Sequence, residues 1–328
     1  LPAAHKEVPS FHRYAEFNRI ATNPNPALTK SGEVQKVQVA KTMRTYPMLL
    51  FAIAFAVSAK AGDREKVPTR SLRLAVVQQD ANPGKPEENR NKALRFARQA
   101  LDQGAEVILF HEEMLVGCVK NLREVAEPLD GPTTRSFQTL LCGSQALIIY
   151  GLTEREGDKY FISATVVSAD GVLTNYHKTH LWWNDKGARH EPTFYQPGDR
   201  LVTFNMKGNK CGLMICYDGD FPEMTRAYAN LGCSVLFWLN NRPSRGHAEV
   251  KDLAYRNSII MATSCCCGTD EMGRVCRGGS NITDATGKLL SEIWDHEGII
   301  VTNVRPDKVP ALRAKNPWYR GQRPELYR

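Results

Sequence analysis

The chain has 328 residues, 42% hydrophobic and 24% charged, which is the composition of an ordinary folded protein and not of a disordered, collagenous or membrane-embedded one. Its formal charge of +8 sits mostly in residues 1–70, where eleven Lys or Arg face five Asp or Glu, leaving +2 for the remainder. A nearly neutral body with no Lys/Arg stripe interleaved with aromatics argues against a nucleic-acid partner.

Residues 1–42 are polar, broken by Asn-Pro-Asn-Pro, and lack an amphipathic period, so they read as an extension outside the fold. Met43-Arg44 followed by the apolar run Met48–Val57 and by Ala59-Lys60-Ala61 matches a signal peptide over 43–61, cleaved after Ala61. The protein is then exported if Met43 is the true start, and cytoplasmic otherwise. The run is too short to span a bilayer. The nine cysteines, an odd number, read as free thiols of a reducing compartment better than as a disulfide framework. Cys265, Cys266 and Cys267 alternate between the faces of a strand, which keeps them from converging on zinc.

From residue 71 a folded body is expected to run to 328. Leu72–Gln78 reads as a buried strand, residues 87–103 as a helix with Ala93, Phe96, Ala97, Ala100 and Leu101 on one face, and Gly104 as its stop. Val107–Phe110 is the next strand. Ala146–Gly151, Ile162–Val167 and Val172–His177 are further strands, the last two joined through Ala169-Asp170-Gly171. Cys211–Cys216 is a strand, Glu223–Leu231 a helix and Ser234–Leu239 a strand; Glu249–Asn257 is a helix and Ile259–Ser264 a strand. Gly278–Thr283 with Lys288–Glu292 closes the series. Alternating strands and helices indicate an α/β fold, and the number of strands favours two packed sheets.

Three segments carry chemistry. Glu112, in Leu109-Phe110-His111-Glu112-Glu113, follows an apolar strand where partial desolvation makes a carboxylate a usable base. Lys178, in Tyr176-His177-Lys178-Thr179-His180, offers a fixed positive charge for an oxygen that becomes negative. His177 and His180, three apart in an extended segment, do not face one another as metal ligands would. Cys216 ends an apolar strand and precedes the tight polar turn Tyr217-Asp218-Gly219-Asp220 and a helix, a geometry that projects the sulfur and gathers backbone N–H groups, that of Tyr217 among them, into an anion pocket. A working nucleophile there is expected to have a lowered pKa, whereas a packed core thiol is not.

With these motifs in order, the sequence from about Leu72 to Tyr327 resembles the nitrilase superfamily of carbon–nitrogen hydrolases. The resemblance implies a four-layer αββα sandwich, a catalytic Glu112-Lys178-Cys216 set and a second glutamate, Glu191, that orients the site. Asn89, Arg256-Asn257, Gly278-Gly279-Ser280 and Arg323–Tyr327 are similar too. Two departures stand out: His111 replaces the usual Pro and leaves Glu113 as a rival base, although Phe110 and Gly117 favour Glu112, and Ile162 replaces a common Asn.

Tyr217-Asp218 after the cysteine looks like the amidase and N-carbamoyl hydrolase branches, where nitrile-converting members often carry Trp-Glu. The implied function is hydrolysis of a linear non-peptide amide or N-carbamoyl amine through a thioester, with a nitrilase or a catalytically silent scaffold as alternatives. Trp182, Trp183, Trp238 and Asn240 are candidates to line the substrate pocket, and the tryptophans serve equally well as packing. No cofactor or metal is called for. The resemblance also implies a homodimer or larger homo-oligomer joined through the nucleophile helix.

Overall fold

The computed structural model describes residues 71–80, 85–117, 121–185, 190–242, 247–270 and 273–326. The expected extension over 1–70 and the signal peptide over 43–61 lie outside them. No helix among the described residues is long and apolar enough to cross a membrane.

The elements follow in chain order as β1 (Leu72–Gln78), α1 (Pro86–Asp102), β2 (Val107–Leu109), α2 (Leu122–Val125), α3 (Pro132–Leu140), β3 (Leu147–Glu156), β4 (Lys159–Ser168) and β5 (Gly171–His177). The second half adds β6 (Thr203–Met206), β7 (Asn209–Ile215), α4 (Pro222–Asn230), β8 (Val235–Asn240), α5 (His247–Asn257), β9 (Ile260–Cys265) and β10 (Cys267–Thr269). It ends with β11 (Val275–Thr283), β12 (Leu289–Trp294), β13 (Gly298–Val304), α6 (Val309–Lys315) and α7 (Pro317–Arg320).

Period-two alternation decides the layering. Leu72, Leu74 and Val76 of β1, with Val107 and Leu109 of β2 and Leu147 and Ile149 of β3, face a core shared with the second sheet. Ala75, Val77, Ile108, Ile148 and Tyr150 face the opposite way, against Ala93, Ala97 and Ala100 of α1 and Phe137 of α3. Both faces are covered, and each fully buried Leu, Ile or Val contributes about 1.5–3 kcal/mol.

The first sheet has the order β13-β1-β2-β3-β4-β5 and the second β10-β11-β9-β8-β7-β6, with β12 on β11. Strands β1-β2-β3 and β7-β8-β9 are parallel, and helices α4 and α5 cover the outer face of the second sheet through Met224, Tyr228, Val250, Leu253 and Ala254. The result is an αββα sandwich.

Polar ties cross between the sheets. Gln78 Oε1 accepts from Ser280 N at 3.1 Å and Ser280 Oγ at 2.9 Å, and Ser264 Oγ donates to Val77 O at 2.6 Å. Gly278 has φ +80°, and a Cβ there would overlap the Gln78 amide, so the Gly-Gly-Ser segment is what lets β11 approach β1. Arg313 of α6 donates to the carbonyls of Ala229, Cys233, Asn257 and Ser258, satisfying acceptors at the ends of α4 and α5.

The structure extends two expectations. β3 and β4 are ten residues each and form a hairpin, both strands longer than expected. The series does not close at β12: β13 follows and pairs antiparallel with β1, Leu72 opposite Val304.

Candidate active site

The turn that carries Glu112 lies flat on β3. Gly151 N donates to His111 O at 3.1 Å and Met114 N to Gly151 O at 3.2 Å. A Cβ on Gly151 would come within 2.4–2.5 Å of His111 O, Glu112 Cα and Glu113 N, so only glycine permits this approach. From the other side, Asn89 Nδ2 donates to Leu115 O at 2.7 Å. Glu113, at φ +47°, turns away and accepts from Tyr195 Oη at 2.6 Å and Thr153 Oγ1 at 3.2 Å. Of the two rivals it is therefore Glu112 that faces Lys178.

Lys178 is fully buried. Its Nζ donates to Glu112 Oε1 at 2.9 Å and lies 2.9–3.0 Å from both oxygens of Glu191, which also accepts from Trp182 N at 2.6 Å. Burial disfavours the ammonium, but Glu112, Cys216 and Glu191 outweigh it and raise the pKa of Lys178 above its ordinary value. The ammonium therefore keeps its charge at neutral pH and serves as a fixed positive charge and hydrogen-bond donor, not as an acid.

Strand β7 ends at Ile215, one residue earlier than the sequence suggests, because Cys216 leaves the pleat at φ +44°. Such a left-handed residue costs about 1–2 kcal/mol. Its carbonyl is held by Trp238 Nε1 at 3.1 Å and Arg242 Nη2 at 2.6 Å, and the Trp238 ring fits only because position 219 is glycine.

Asp218 fixes the turn to the lysine loop. Its carboxylate accepts from Ile215 N at 2.8 Å, Tyr176 Oη at 2.7 Å, Thr179 Oγ1 at 3.0 Å and His180 N at 2.9 Å. His180 stacks on Phe221 and lies beside Asp218, while His177 stacks on Phe161 and lies 3.0 Å from Glu154, so the two histidines serve different clusters. Among the described residues no group of three or more His, Cys, Asp or Glu is arranged to hold a metal ion.

Cys216 is half-buried, unlike the buried Cys211, Cys233, Cys265, Cys266, Cys267 and Cys276. Burial pushes its thiol pKa up, the Glu112 carboxylate adds to this, Lys178 and Arg242 pull it down, and Glu191 raises it again. The net direction is upward, which corrects the expectation of a lowered pKa: the carboxylates that serve the site oppose a free-standing thiolate. The thiol therefore rests protonated and needs a base at the moment of attack.

The pocket candidates separate. Trp182, 40% exposed, sets its edge against Tyr217 at 4.9 Å. Trp183 is more exposed and packs on His190. Trp238 is buried beneath the nucleophile turn. Asn240 is buried too, with its Nδ2 3.4 Å from Trp238 O and its Oδ1 lacking a hydrogen-bond partner among the described residues. Sequence reasoning missed Arg242 and the tying role of Asp218. The donors flanking Lys178, Tyr176 and Thr179, were the signal for Asp218, whereas nothing local marks Arg242.

The sequence model of the carbon-nitrogen hydrolase family matches residues 73–314. This chain belongs to that family. The hydrolase therefore acts on carbon–nitrogen bonds other than peptide bonds. An (R)-stereoselective amidase from a Pseudomonas species is 30% identical to it over 214 residues, covering 63% of this chain and 76% of the relative. The human omega-amidase is 28% identical over 269 residues, covering 78% and 97%. An amidase from Nesterenkonia sp. shares the fold at a TM-score of 0.68 and 24% identity, covering 78% of this chain and 95% of that one.

Proposed function

We propose that this hydrolase cleaves a linear amide or N-carbamoyl amine through a thioester on Cys216. The observation that carries this reading is the buried Lys178 ammonium, 2.9 Å from Glu112 and 2.9 Å from Glu191, beside a half-exposed cysteine held in a left-handed turn. Backbone strain kept at such a point is typical of a working site.

Glu112 takes the Cys216 proton as sulfur attacks the carbonyl carbon. The oxyanion is held by Lys178 and the Tyr217 N–H, donors worth about 3 kcal/mol each when aimed at a transition state. Glu112 then gives the proton to the departing ammonia or amine, and the carbon–nitrogen bond breaks. Next it takes a proton from water, whose oxygen attacks the thioester; as the carbon–sulfur bond breaks, Glu112 returns that proton to the sulfur and the resting thiol is restored. Glu191 holds Lys178 in place from the side opposite Glu112.

Trp182 and Tyr217 form the aromatic wall against which the acyl part packs, with Asn240 as a further contact. Trp238, beneath the turn, supports it from below. A second copy of the chain is proposed to dock on the face bearing the nucleophile helix α4, as the family resemblance implies, which sedimentation will register as a dimer.

The test is Cys216→Ala, assayed for ammonia release over a panel of amides, N-carbamoyl amines and nitriles. Alanine and cysteine meet the same cost at positive φ, so the fold should survive while turnover disappears. Retained activity in the alanine variant removes the reading, and preferred release from nitriles replaces it with nitrile hydrolysis.

A further inference from the structure

Among the described residues Arg242 is the one cation besides Lys178 that bears directly on Cys216, and no motif of the chain points to it. It lies two residues beyond the end of β8, and the parallel pairing of β7 with β8 puts Ile215 opposite Leu239, so the two strand ends open side by side. Arg242 is buried, at 9% exposure. Its Nε donates to Cys216 Sγ at 3.3 Å, its Nη2 to Cys216 O at 2.6 Å and its Nη1 to Asp220 Oδ1 at 3.1 Å. Three nitrogens of one planar group are thus spent on a single turn, a forked geometry that a lysine cannot reproduce.

We propose that Arg242 is a catalytic residue for the reaction assigned above, supplying the hydrogen bond and charge that receive the sulfur's electrons once Glu112 has taken its proton. In that step the S–H bond breaks, the proton moves to a Glu112 oxygen, and the electron pair stays on sulfur against the Arg242 Nε–H. The guanidinium gives up nothing. When sulfur bonds to carbon, the charge moves to the carbonyl oxygen and into the reach of Lys178. The two cations therefore divide the work in time: Arg242 serves the thiolate before attack and again when the thioester is cleaved, Lys178 the oxyanion between.

Asp220 tunes this device. A carboxylate on the far side of the guanidinium orients it and dilutes its charge at sulfur. Among the described residues, the other groups that act on the sulfur come from other elements: Glu112 after β2, Lys178 after β5, Glu191 from its own turn and Cys265 at the end of β9. The Asp218 carboxylate of the same turn is spent on Ile215 N, Tyr176, Thr179 and His180. Burial and Glu112 raise the thiol while Lys178 and Arg242 lower it, so removing Arg242 takes away one of the two opposing influences found among the described residues.

The test uses iodoacetamide, which alkylates the sulfur without passing through substrate turnover, so its outcome is independent of which amide the enzyme prefers. Alkylation of Cys216 in the full chain is followed by peptide mass from pH 7 to 10.5 for wild type, Arg242→Gln, Arg242→Lys and Asp220→Asn, with circular dichroism checking each fold. Arg242→Gln should slow alkylation at pH 7.5 at least fivefold and move the midpoint up. Arg242→Lys should recover part of the rate. Asp220→Asn should move the midpoint down and speed alkylation at least twofold. A merely structural brace would loosen the turn in both Arg242→Gln and Asp220→Asn and shift them the same way. Shifts of like sign, or none, overturn the proposal; if Arg242→Gln does not fold, a midpoint in Asp220→Asn that stays or rises overturns it alone.

Discussion

Replacing Glu112 with Gln separates the two effects that this carboxylate has on Cys216. The side chains have nearly the same shape, and the amide oxygen can still accept from Lys178 Nζ at the position Oε1 occupies, 2.9 Å away. Lys178 keeps its ion pair with Glu191 at 2.9 Å, so no buried charge is left alone and the stability loss should stay below about 2 kcal/mol. The amide cannot take a proton, however, and general-base catalysis is typically worth about 10²–10⁴ in rate, or roughly 3–5.5 kcal/mol of barrier. The Glu112 charge also holds the Cys216 thiol up, so its removal should lower that pKa. Glu112→Gln should therefore release ammonia at least a hundredfold more slowly while reacting faster with iodoacetamide at pH 7.5. Turnover within tenfold of wild type would refute the assignment of Glu112 as base, and loss of both activities would show that the substitution only displaced the turn.

Lys178→Met should abolish turnover and also destabilise the fold by about 3–5 kcal/mol in urea unfolding, because two buried carboxylates lose their common partner. Gly151→Ala drives a Cβ into the backbone of residues 111–113; it should lower the melting temperature by the equivalent of about 1–3 kcal/mol and cut kcat about a hundredfold through misplacement of Glu112. His111 is fully buried with Nε2 lacking a hydrogen-bond partner among the described residues, and burial pulls its pKa from 6.5 down to about 4. The unfolded chain therefore binds a proton that the folded one refuses, and stability should fall by about 3 kcal/mol as pH drops from about 6.5 to 4. His111→Leu should flatten that slope in urea titrations, and an unchanged slope would show that another group carries it.

The parallel strands are legible in the sequence because each is a short, fully apolar run such as Val76-Val77 or Leu236-Phe237, and burial on both faces demands that pattern. The hairpin β3–β4 outruns its apolar stretch because a buried polar pair continues it: Glu154, still buried just before the exposed tip, is held by Ser163, Asn175 and His177, partners that only the folded sheet assembles. Strand β13 offers an apolar run of its own, Ile299-Ile300-Val301, but its place beside the first strand of the body is long-range information. The catalytic candidates are legible where a reactive type follows an apolar strand. Arg242 is not, since its meaning comes from a contact with a residue 26 positions earlier, created by strand pairing and invisible to local pattern.

The balance of charge explains why a protonated thiol suits this site. Lys178 and Arg242 supply two positive charges, and the carboxylates paired directly with them, Glu112, Glu191 and Asp220, supply three negative ones. A standing thiolate would add a fourth anion to a buried cluster already short of cations, which low-dielectric surroundings penalise heavily. Transfer of the sulfur's proton to Glu112 avoids that penalty, because one negative charge disappears from the carboxylate as another appears on sulfur. The total is constant, and the charge moves between two sites that each face a cation, Lys178 at Glu112 and Arg242 at Cys216. On this reasoning the carboxylate that keeps the thiol protonated at rest is the group best placed to deprotonate it, and the two roles are one electrostatic arrangement.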